Sequence, residues 1–473
     1  MTFTKAYQWI SLVIIAFIVL TVNVFRFIDL DKSPPGFHVD ELSGSVTVQC
    51  LAEEGIDAHD HRYPLFGELN YGSPKPPTYM YPAVLWTKIF GYSISSFRAF
   101  SGFIAILSII GLFFLAKQLF SLQAAYWIIL TASISPFVFQ ISRIALEAGL
   151  APCFIIWGLY FFTRSDHFLN AVLTGILFAL AMYSYPPARL FIPLLFLPML
   201  YLRWSMGKVN LKMFSLTFLV MAVILIPLIT GTIRGQYMTR FNEIGIFSEE
   251  FLASSGKSKN WSDLSVVFIR NYLTHLNSDF LFFSGDKNYV YSTGHFGILS
   301  WLDSIALLCG LIILIFYLFQ WKAISRRQSG IMVFLIMALI LSIVPSALTW
   351  EDIPHSLRII CGWPFLVLLT GFILFKITEL VSPFRYVFLG LACAFILIYG
   401  KHYFFVYPKQ TYYMFSSSAK VEALAAKTNE DWLKFIYRYR HQNFHLRYYL
   451  MNYLKGQNCS STQALWKEVH KIQ

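Results

Sequence analysis

Residues 8–28 read QWISLVIIAFIVLTVNVFRFI, and residues 34–41, PPGFHVDE, follow shortly after. The first stretch is a predominantly apolar run of the length a bilayer core requires. It follows an N-terminus carrying only Lys5 and continues into Arg26 and Asp29 without a small-residue cleavage site, so it reads as a retained anchor helix and not a removed signal. The second stretch places Asp40 and Glu41 side by side at one face of the membrane. An acidic pair in hydrocarbon is costly, so its place is a wet cavity lined by protein.

The rest of the chain repeats the first stretch. Of 473 residues, 57% are hydrophobic, 18% aromatic and only 13% charged, and the mean hydropathy is +0.58. Further apolar runs fall at 97–117, 123–140, 148–163, 168–184, 189–202, 212–231, 297–320, 330–347, 359–376 and 385–405. Together with the first run they predict an all-α polytopic membrane protein with about eleven spans. Residues 76–91, opening Pro76-Pro77 and holding Pro82, are apolar but short and read as an interfacial or re-entrant helix, with a full crossing as the alternative.

Loop charges orient the bundle. With the N-terminus inside, the cytoplasmic connections carry Lys117, Arg164, Arg203, Lys208, Lys212, Lys322, Arg326, Arg327, Lys376 and Arg385, whereas the short external ones carry Arg143, Arg189 and Arg358. Residues 29–76 are acidic, through Asp31, Asp40, Glu41, Glu53, Glu54, Asp57, Asp60 and Glu68, against Lys32, Arg62 and Lys75, which suits an external loop. The domain reading is a membrane domain over 1–405, with a first external loop at 29–96 and a second at 232–296, and an extracytoplasmic tail at 406–473. The second loop, with Asn277 to Asp286, reads as a lid. The net charge of +12 follows from this topology; no basic stripe with interleaved aromatics marks a nucleic-acid partner. Of six cysteines, Cys50 and Cys459 share a compartment but make a weak case for a disulfide, and no metal-binding spacing occurs.

The polar residues that stand out gather on the external face: Asp40 and Glu41, Lys75, Arg143 and Glu147, Tyr185 and Arg189, Asp279, and His355 with Arg358. Guanidinium groups bind phosphate oxygens bidentately and stay charged, while an Asp accepts a hydroxyl proton. Three arginines at helix mouths facing a carboxylate pair therefore suit a reaction that handles a phosphate beside a group needing a base. Each element also has a structural reading: an arginine at a helix end snorkels to headgroups, Arg143 and Glu147 are spaced as a helical ion pair, and an Asp after Pro-Pro-Gly caps a helix. His59, Asp60 and His61 read as a solvated turn more readily than as a metal site.

Taken together, Asp40-Glu41, Lys75-Pro76-Pro77, Lys117-Gln118-Leu119-Phe120, Arg143 with Glu147, Tyr185 with Arg189, Asp279 to Asp286 and His355 to Arg358 resemble the bacterial integral-membrane glycosyltransferases of family 39. Relatives of that family are the protein O-mannosyltransferases and the aminoarabinose transferase of lipid A. The resemblance runs from residue 1 to about 405; the tail at 406–473 matches none of its pattern and leaves the acceptor open. It implies the GT-C fold, with membrane-parallel helices in the first external loop, and a hexosyltransferase of the cell inner or plasma membrane. The donor it implies is a polyprenyl-phosphate-linked sugar, and the acceptor a hydroxyl of a lipid, glycan or protein. Asp40 takes the place of the base, with Glu41 beside it. Arg143, Arg189, Arg358, His355 and Lys75 would hold the donor phosphate, supported by Glu147, Tyr185 and Asp279. Either these cations or a divalent metal would meet the leaving phosphate's charge.

Rival readings remain open. A polysaccharide polymerase or ligase also uses external arginines on lipid-linked glycans. A lipid or solute transporter would keep polar groups at mid-membrane, whereas here they cluster at one mouth. A scaffold would assemble through the 406–473 tail.

Overall fold

The computed structural model describes residues 3–67, 74–164, 166–235, 237, 239–319, 325–439, 443–453 and 457–471. Glu68 and Lys322, both counted among the loop charges, lie outside them. In lipid every backbone N–H and C=O must be satisfied within its own segment, which selects helix, and each apolar run is helical. The helices are Phe3–Phe25, Ile94–Leu119, Leu122–Ile134, Leu150–Phe162, Phe168–Ser184, Pro186–Ser205, Leu211–Ile233, Trp301–Phe319, Arg326–Ala347, Trp363–Leu380 and Phe384–Lys401. Among the described residues the only β-type pairings are three isolated bridges.

Several boundaries differ from expectation: the run at 359–376 opens in a 3-10 helix, Leu357–Gly362, and that at 385–405 ends in a π-helix, His402–Val406. The run at 123–140 is two helices, Leu122–Ile134 and Pro136–Ile141, because Pro136 has no N–H to continue the first. The short run at 76–91 is the helix Pro77–Phe90, with Pro77 in its first turn. By length and hydropathy, five segments among the described residues suffice to cross a membrane: Ile94–Leu119, Leu211–Ile233, Arg326–Ala347, Leu357–Leu380 and Phe384–Gln410. Other apolar helices, such as Leu122–Ile134 and Phe168–Ser184, are shorter.

The chain divides into two units. The first comprises Met1–Phe25, Ile104–Gln140 and Ala148–Gly400. In it the Trp363–Leu380 helix packs on Leu122–Ile134, and Gly371 sits where a Cβ would come within 2.5 Å of the Ile128 Cα, so the two backbones touch. The helices Phe168–Ser184 and Leu211–Ile233, separated in the chain by Pro186–Ser205, pack together and are tied by Thr217 Oγ1 donating to the Ala171 carbonyl at 3.1 Å. The long connection at 232–296 adds the helices Thr239–Ile244, Glu249–Ser255 and Trp261–Thr274. Ile246, Phe251, Leu264 and Val267 form a small core there, against Leu348 and Trp350.

The second unit comprises Arg26–Phe103, Ile141–Glu147 and Lys401–Gln473. Its centre is the Val39–Glu53 helix, buried from Glu41 to Leu51. This helix is short of large side chains (Ser43, Gly44, Ser45, Val46, Thr47), so Pro77–Phe90 and the tail helices Asn443–Tyr453 and Cys459–Lys471 pack around it. Cys50 and Cys459 are joined in a disulfide. Around that link, Arg447 Nη1 donates to the Ala58 carbonyl at 2.7 Å, and Asn452 Nδ2 donates to Gln49 Oε1 at 3.0 Å. Lys420 Nζ reaches the Asp31 carbonyl at 2.6 Å. The tail is thereby folded onto residues 29–67 along much of its described length.

Candidate functional site

The local sequence dictates how the couplet is presented. Phe37 and His38 are extended, and the helix begins at Val39 with His38 as its N-cap. His38 Nδ1 lies 3.3 Å from the Asp40 N–H, and Glu41 Oε2 accepts from the His38 N–H at 3.0 Å, closing a capping box. His38 Nδ1 is also 3.5 Å from Asp40 Oδ2. A backbone N–H can only donate, so Nδ1 is the acceptor in the cap and carries no proton for the carboxylate. Asp40 and Glu41, adjacent in sequence, thus diverge. The Asp40 side chain is 47% exposed, and its carboxylate accepts no hydrogen bond among the described residues.

Glu41 is fully buried and saturated. Oε1 accepts from Arg98 Nε at 2.9 Å and from the Ala145 N–H at 2.8 Å; Oε2 accepts from Arg98 Nη2 at 2.8 Å as well as from His38. Arg98 is equally complete. Its remaining donors go to the carbonyls of Leu30 and Pro34, both at 2.7 Å, and of Gly36 at 2.6 Å. All five N–H groups of the guanidinium therefore have acceptors, and the residue clamps the Pro-Pro-Gly turn to the couplet. Sequence reasoning missed Arg98 because it stands inside the apolar run at 97–117. The available signal was the charge itself, since an arginine in such a run needs a named partner.

The tail supports the same turn. The Phe37 N–H donates to the Phe415 carbonyl at 2.6 Å, and the Phe37 ring meets Tyr448 edge-on at 5.1 Å. A Cβ at Gly36 would fall 1.9 Å from the Phe415 oxygen, so only glycine fits.

Of the other expected residues, this unit holds Lys75, Arg143 and Glu147. Lys75 is buried, its stem passing over Gly44, and its Nζ pairs with Glu147 Oε2 at 2.9 Å. Arg143 is fully buried, with Nη2 on the carbonyls of Ile28 (2.7 Å) and Ser33 (2.8 Å) and its guanidinium over the rings of Tyr403 and Phe404. The helical ion pair anticipated between Arg143 and Glu147 is absent. Residues 142–146 are not helical, so the i, i+4 geometry never arises and Glu147 turns to Lys75. His59, Asp60 and His61 lie in a turn organised by Asp57, whose Oδ1 accepts from the N–H groups of His59 and His61 at 2.8 and 2.9 Å.

The remaining expected residues, Tyr185, Arg189, Asp279, His355 and Arg358, belong to the other unit. Arg358 Nη1 donates to Thr349 Oγ1 at 2.8 Å and to the Glu351 carbonyl at 2.6 Å, and Tyr185 is within electrostatic reach of its guanidinium. Arg240 binds the Glu351 carboxylate at 2.5 Å, adding a cation the sequence did not single out. Arg189 sits apart from these contacts, with Nε toward the Met182 carbonyl and Nη1 toward that of Tyr237, both at 3.2 Å. Asp279 is exposed and shapes its own turn by accepting from Ser284 Oγ at 2.8 Å.

His355 lies in a buried network that also involves His275 and Asp286. Asp286 Oδ2 accepts from both the N–H and Oγ of Ser356 at 2.7 Å and lies 3.6 Å from His355 Nδ1, while Tyr291 stacks on the His355 ring at 5.1 Å. The His355 N–H donates to His275 Nε2 at 3.2 Å, which fixes the proton of His275 on Nδ1, 2.8 Å from the Asn271 carbonyl. Burial pushes the His275 imidazole down to about 4. Burial, with Arg358 and His275 adding to it, drives His355 well below its ordinary value, so that it is neutral at neutral pH; the same burial raises the Asp286 carboxyl. Among the described residues, no group of three or more His, Cys, Asp or Glu is placed to hold a metal ion.

Comparison with known proteins gives a consistent picture. Residues 74–231 match the family model described as dolichyl-phosphate-mannose-protein mannosyltransferase. The apo oligosaccharyltransferase of Archaeoglobus fulgidus superposes with a TM-score of 0.52 at 14% identity, over 97% of this chain and 62% of that one. The same enzyme tethered to an acceptor peptide containing the NVT sequon gives 0.51 at 14% identity, over 94% and 59%. Apo ArnT from Cupriavidus metallidurans gives 0.52 at 14% identity, over 99% and 76%. The chain thus spans less than two thirds of the length of the oligosaccharyltransferase it resembles. No curated protein sequence matches it.

Proposed function

We propose that this chain, a polytopic membrane protein with the GT-C glycosyltransferase fold, transfers a sugar from a polyprenyl-phosphate-linked donor to an acceptor hydroxyl at the extracytoplasmic face of the membrane. The observation that carries the proposal is the division of labour in the couplet. Glu41 is buried with every acceptor position filled, whereas the Asp40 carboxylate stands open at the start of a helix held in place from several sides. A carboxylate held rigidly yet left unbonded suits a general base. The donor class takes its support from the mannosyltransferase family model over residues 74–231, whose described substrate is a sugar on a lipid phosphate.

In this mechanism an Asp40 oxygen takes the proton of the acceptor hydroxyl as the oxygen attacks the anomeric carbon. The new glycosidic bond forms on the face opposite the phosphate, the bond from carbon to phosphate oxygen breaks, and lipid phosphate leaves with the electron pair. The anomeric configuration inverts. Phosphate leaves as a stable anion, so no general acid is needed. Arg189 and Arg358 take the donor-phosphate role, because guanidinium stays charged through the step. His355 joins them as a neutral hydrogen-bonding group and not as a cation. Tyr185 supports Arg358, and Asp279 shapes the loop that precedes Asp286. Glu41, Lys75, Arg143 and Glu147 act by position: each is engaged with another part of the chain, and together they hold the Pro-Pro-Gly turn and the start of the Asp40 helix.

The test is Asp40→Asn in the full-length protein. It should abolish transfer from a polyprenyl-phosphate sugar in proteoliposomes while leaving donor binding and melting behaviour unchanged. Turnover retained within tenfold would remove Asp40 as the base.

A further inference from the structure

The Trp261–Thr274 helix has two apolar faces. Leu264, Val267 and Asn271 recur at i, i+3 and i+7 and are buried; Leu264 and Val267 belong to the small core of the long connection at 232–296, and Asn271 Nδ2 donates to the carbonyl of Thr349 at 2.7 Å. A second stripe, Val266, Ile269 and Leu273, keeps the same spacing on another side and is 60, 54 and 58% exposed. Trp261, at the start of the helix, is 83% exposed. Between the two apolar faces lie Asp263 and Arg270, seven residues apart. Lys257 and Lys259 stand just before the helix.

What covers the exposed stripe is decided by where the helix is anchored. Tyr272 Oη donates to the carbonyl of Ile340 at 2.9 Å, in the Arg326–Ala347 segment that qualifies as a membrane span. Ile340 stands seven residues before the end of that helix, which is about 10 Å along its axis. The tyrosine thus touches the span well below its end, on the side where Met337 and Ile340 are themselves 41 and 46% exposed. The apolar stripe lies beside the exposed apolar side of a segment long and apolar enough to cross a bilayer. A tryptophan at one end, basic residues at the flank and a thin polar strip complete the pattern of a helix lying in a headgroup layer.

We propose that the Trp261–Thr274 helix is an interfacial membrane helix. Its Val266, Ile269 and Leu273 side is immersed at the boundary of headgroups and acyl chains, in the leaflet at that end of the Arg326–Ala347 span, with Asp263 and Arg270 turned to water. The helix ends at His275, which accepts from Ser346 Oγ at 2.8 Å and from the His355 N–H at 3.2 Å. Contact with the bilayer therefore sets the position of the His355 turn. This inference is independent of the reaction proposed above.

The experiment uses full-length protein in proteoliposomes of phosphatidylethanolamine and phosphatidylglycerol, with Cys309 and Cys393 replaced by alanine. A nitroxide is attached at Ile269→Cys or, in a separate sample, at Arg270→Cys, and its collisions with oxygen and with a water-soluble nickel complex are measured. At position 269 oxygen should be favoured several-fold, and at 270 the nickel complex. Equal access of nickel at both positions would overturn the proposal, as would spin–spin broadening at 269, which would mean that a second copy of the chain covers the stripe. Should the labelled variants fail to fold, quenching by brominated lipid in otherwise unmodified protein replaces them. Loss of part of the quenching in Trp261→Phe supports immersion, and identical quenching refutes it.

Discussion

Replacing Glu41 by glutamine separates the two carboxylates of the couplet by what they do. The Glu41 carboxylate takes two donors on each oxygen, from Arg98 Nε and the Ala145 N–H on one and from Arg98 Nη2 and the His38 N–H on the other. Glutamine turns one oxygen into an NH2 group, which in either orientation faces two N–H donors. It also leaves the Arg98 charge buried without its counter-charge, and breaking a buried pair from one side costs about 3–5 kcal/mol. At about 2–4 °C per kcal/mol for a domain of this size, the melting temperature should fall by roughly 6–20 °C. The assay is the fraction of detergent-purified protein that remains monodisperse on size exclusion after heating, with Asp40→Asn as the comparison; that variant should melt like the wild type. Replacing both partners, Arg98→Met with Glu41→Leu, should recover part of the loss. Recovery stays incomplete because the Leu30, Pro34 and Gly36 carbonyls lose their donor. A Glu41→Gln protein that melts normally yet fails to turn over would refute the reasoning and put Glu41 in the chemistry.

The buried His275 imposes a pH dependence on stability. Its imidazole is depressed to about 4 from an ordinary 6.5, so stability is full above pH 6.5, where neither folded nor unfolded chain binds the proton. It is lost as pH falls toward 4, where only the unfolded chain has bound it, by about 3 kcal/mol. His275→Gln should flatten the melting profile between pH 6.5 and 4, and parallel profiles would count against this assignment. Gly36→Ala forces a Cβ to within 1.9 Å of the Phe415 oxygen, so the tail should detach and become sensitive to limited proteolysis at concentrations that leave the wild type intact. Cys50→Ser with Cys459→Ser removes the link between the Val39–Glu53 helix and the tail and should destabilise the protein by about 2–4 kcal/mol; identical melting of oxidised wild type and the double variant would argue against a structural role.

The helical runs were legible because lipid leaves the backbone few choices, and a continuous apolar stretch declares its own conformation. Pro136 broke one run where a missing N–H should break it. The couplet was legible as a pair, because charge beside hydrocarbon needs a reason. The different fates of its members were not, since they depend on Arg98 and on the Ala145 N–H, both more than fifty residues away in sequence. The same holds for Lys75 and Glu147, which find each other across 72 positions. Asp286 was legible only as the end of the Asp279–Asp286 motif, not as the partner of Ser356 and His355. His275 gives no local signal, because burial alone makes it unusual. Nor does the tail, whose helices are ordinary until the first loop is there to receive them.

The union of Phe37 with Phe415, and of Cys50 with Cys459 across 409 positions, has a consequence for biogenesis. The ribosome delivers the Asp40 helix long before the residues that brace it. Throughout that interval the nascent chain sits in the membrane with its acidic motif unsupported. If Asp40 acts as proposed, synthesis interrupted anywhere before residue 415 should leave an inert polypeptide, and chemical competence would come only after the late segment has docked.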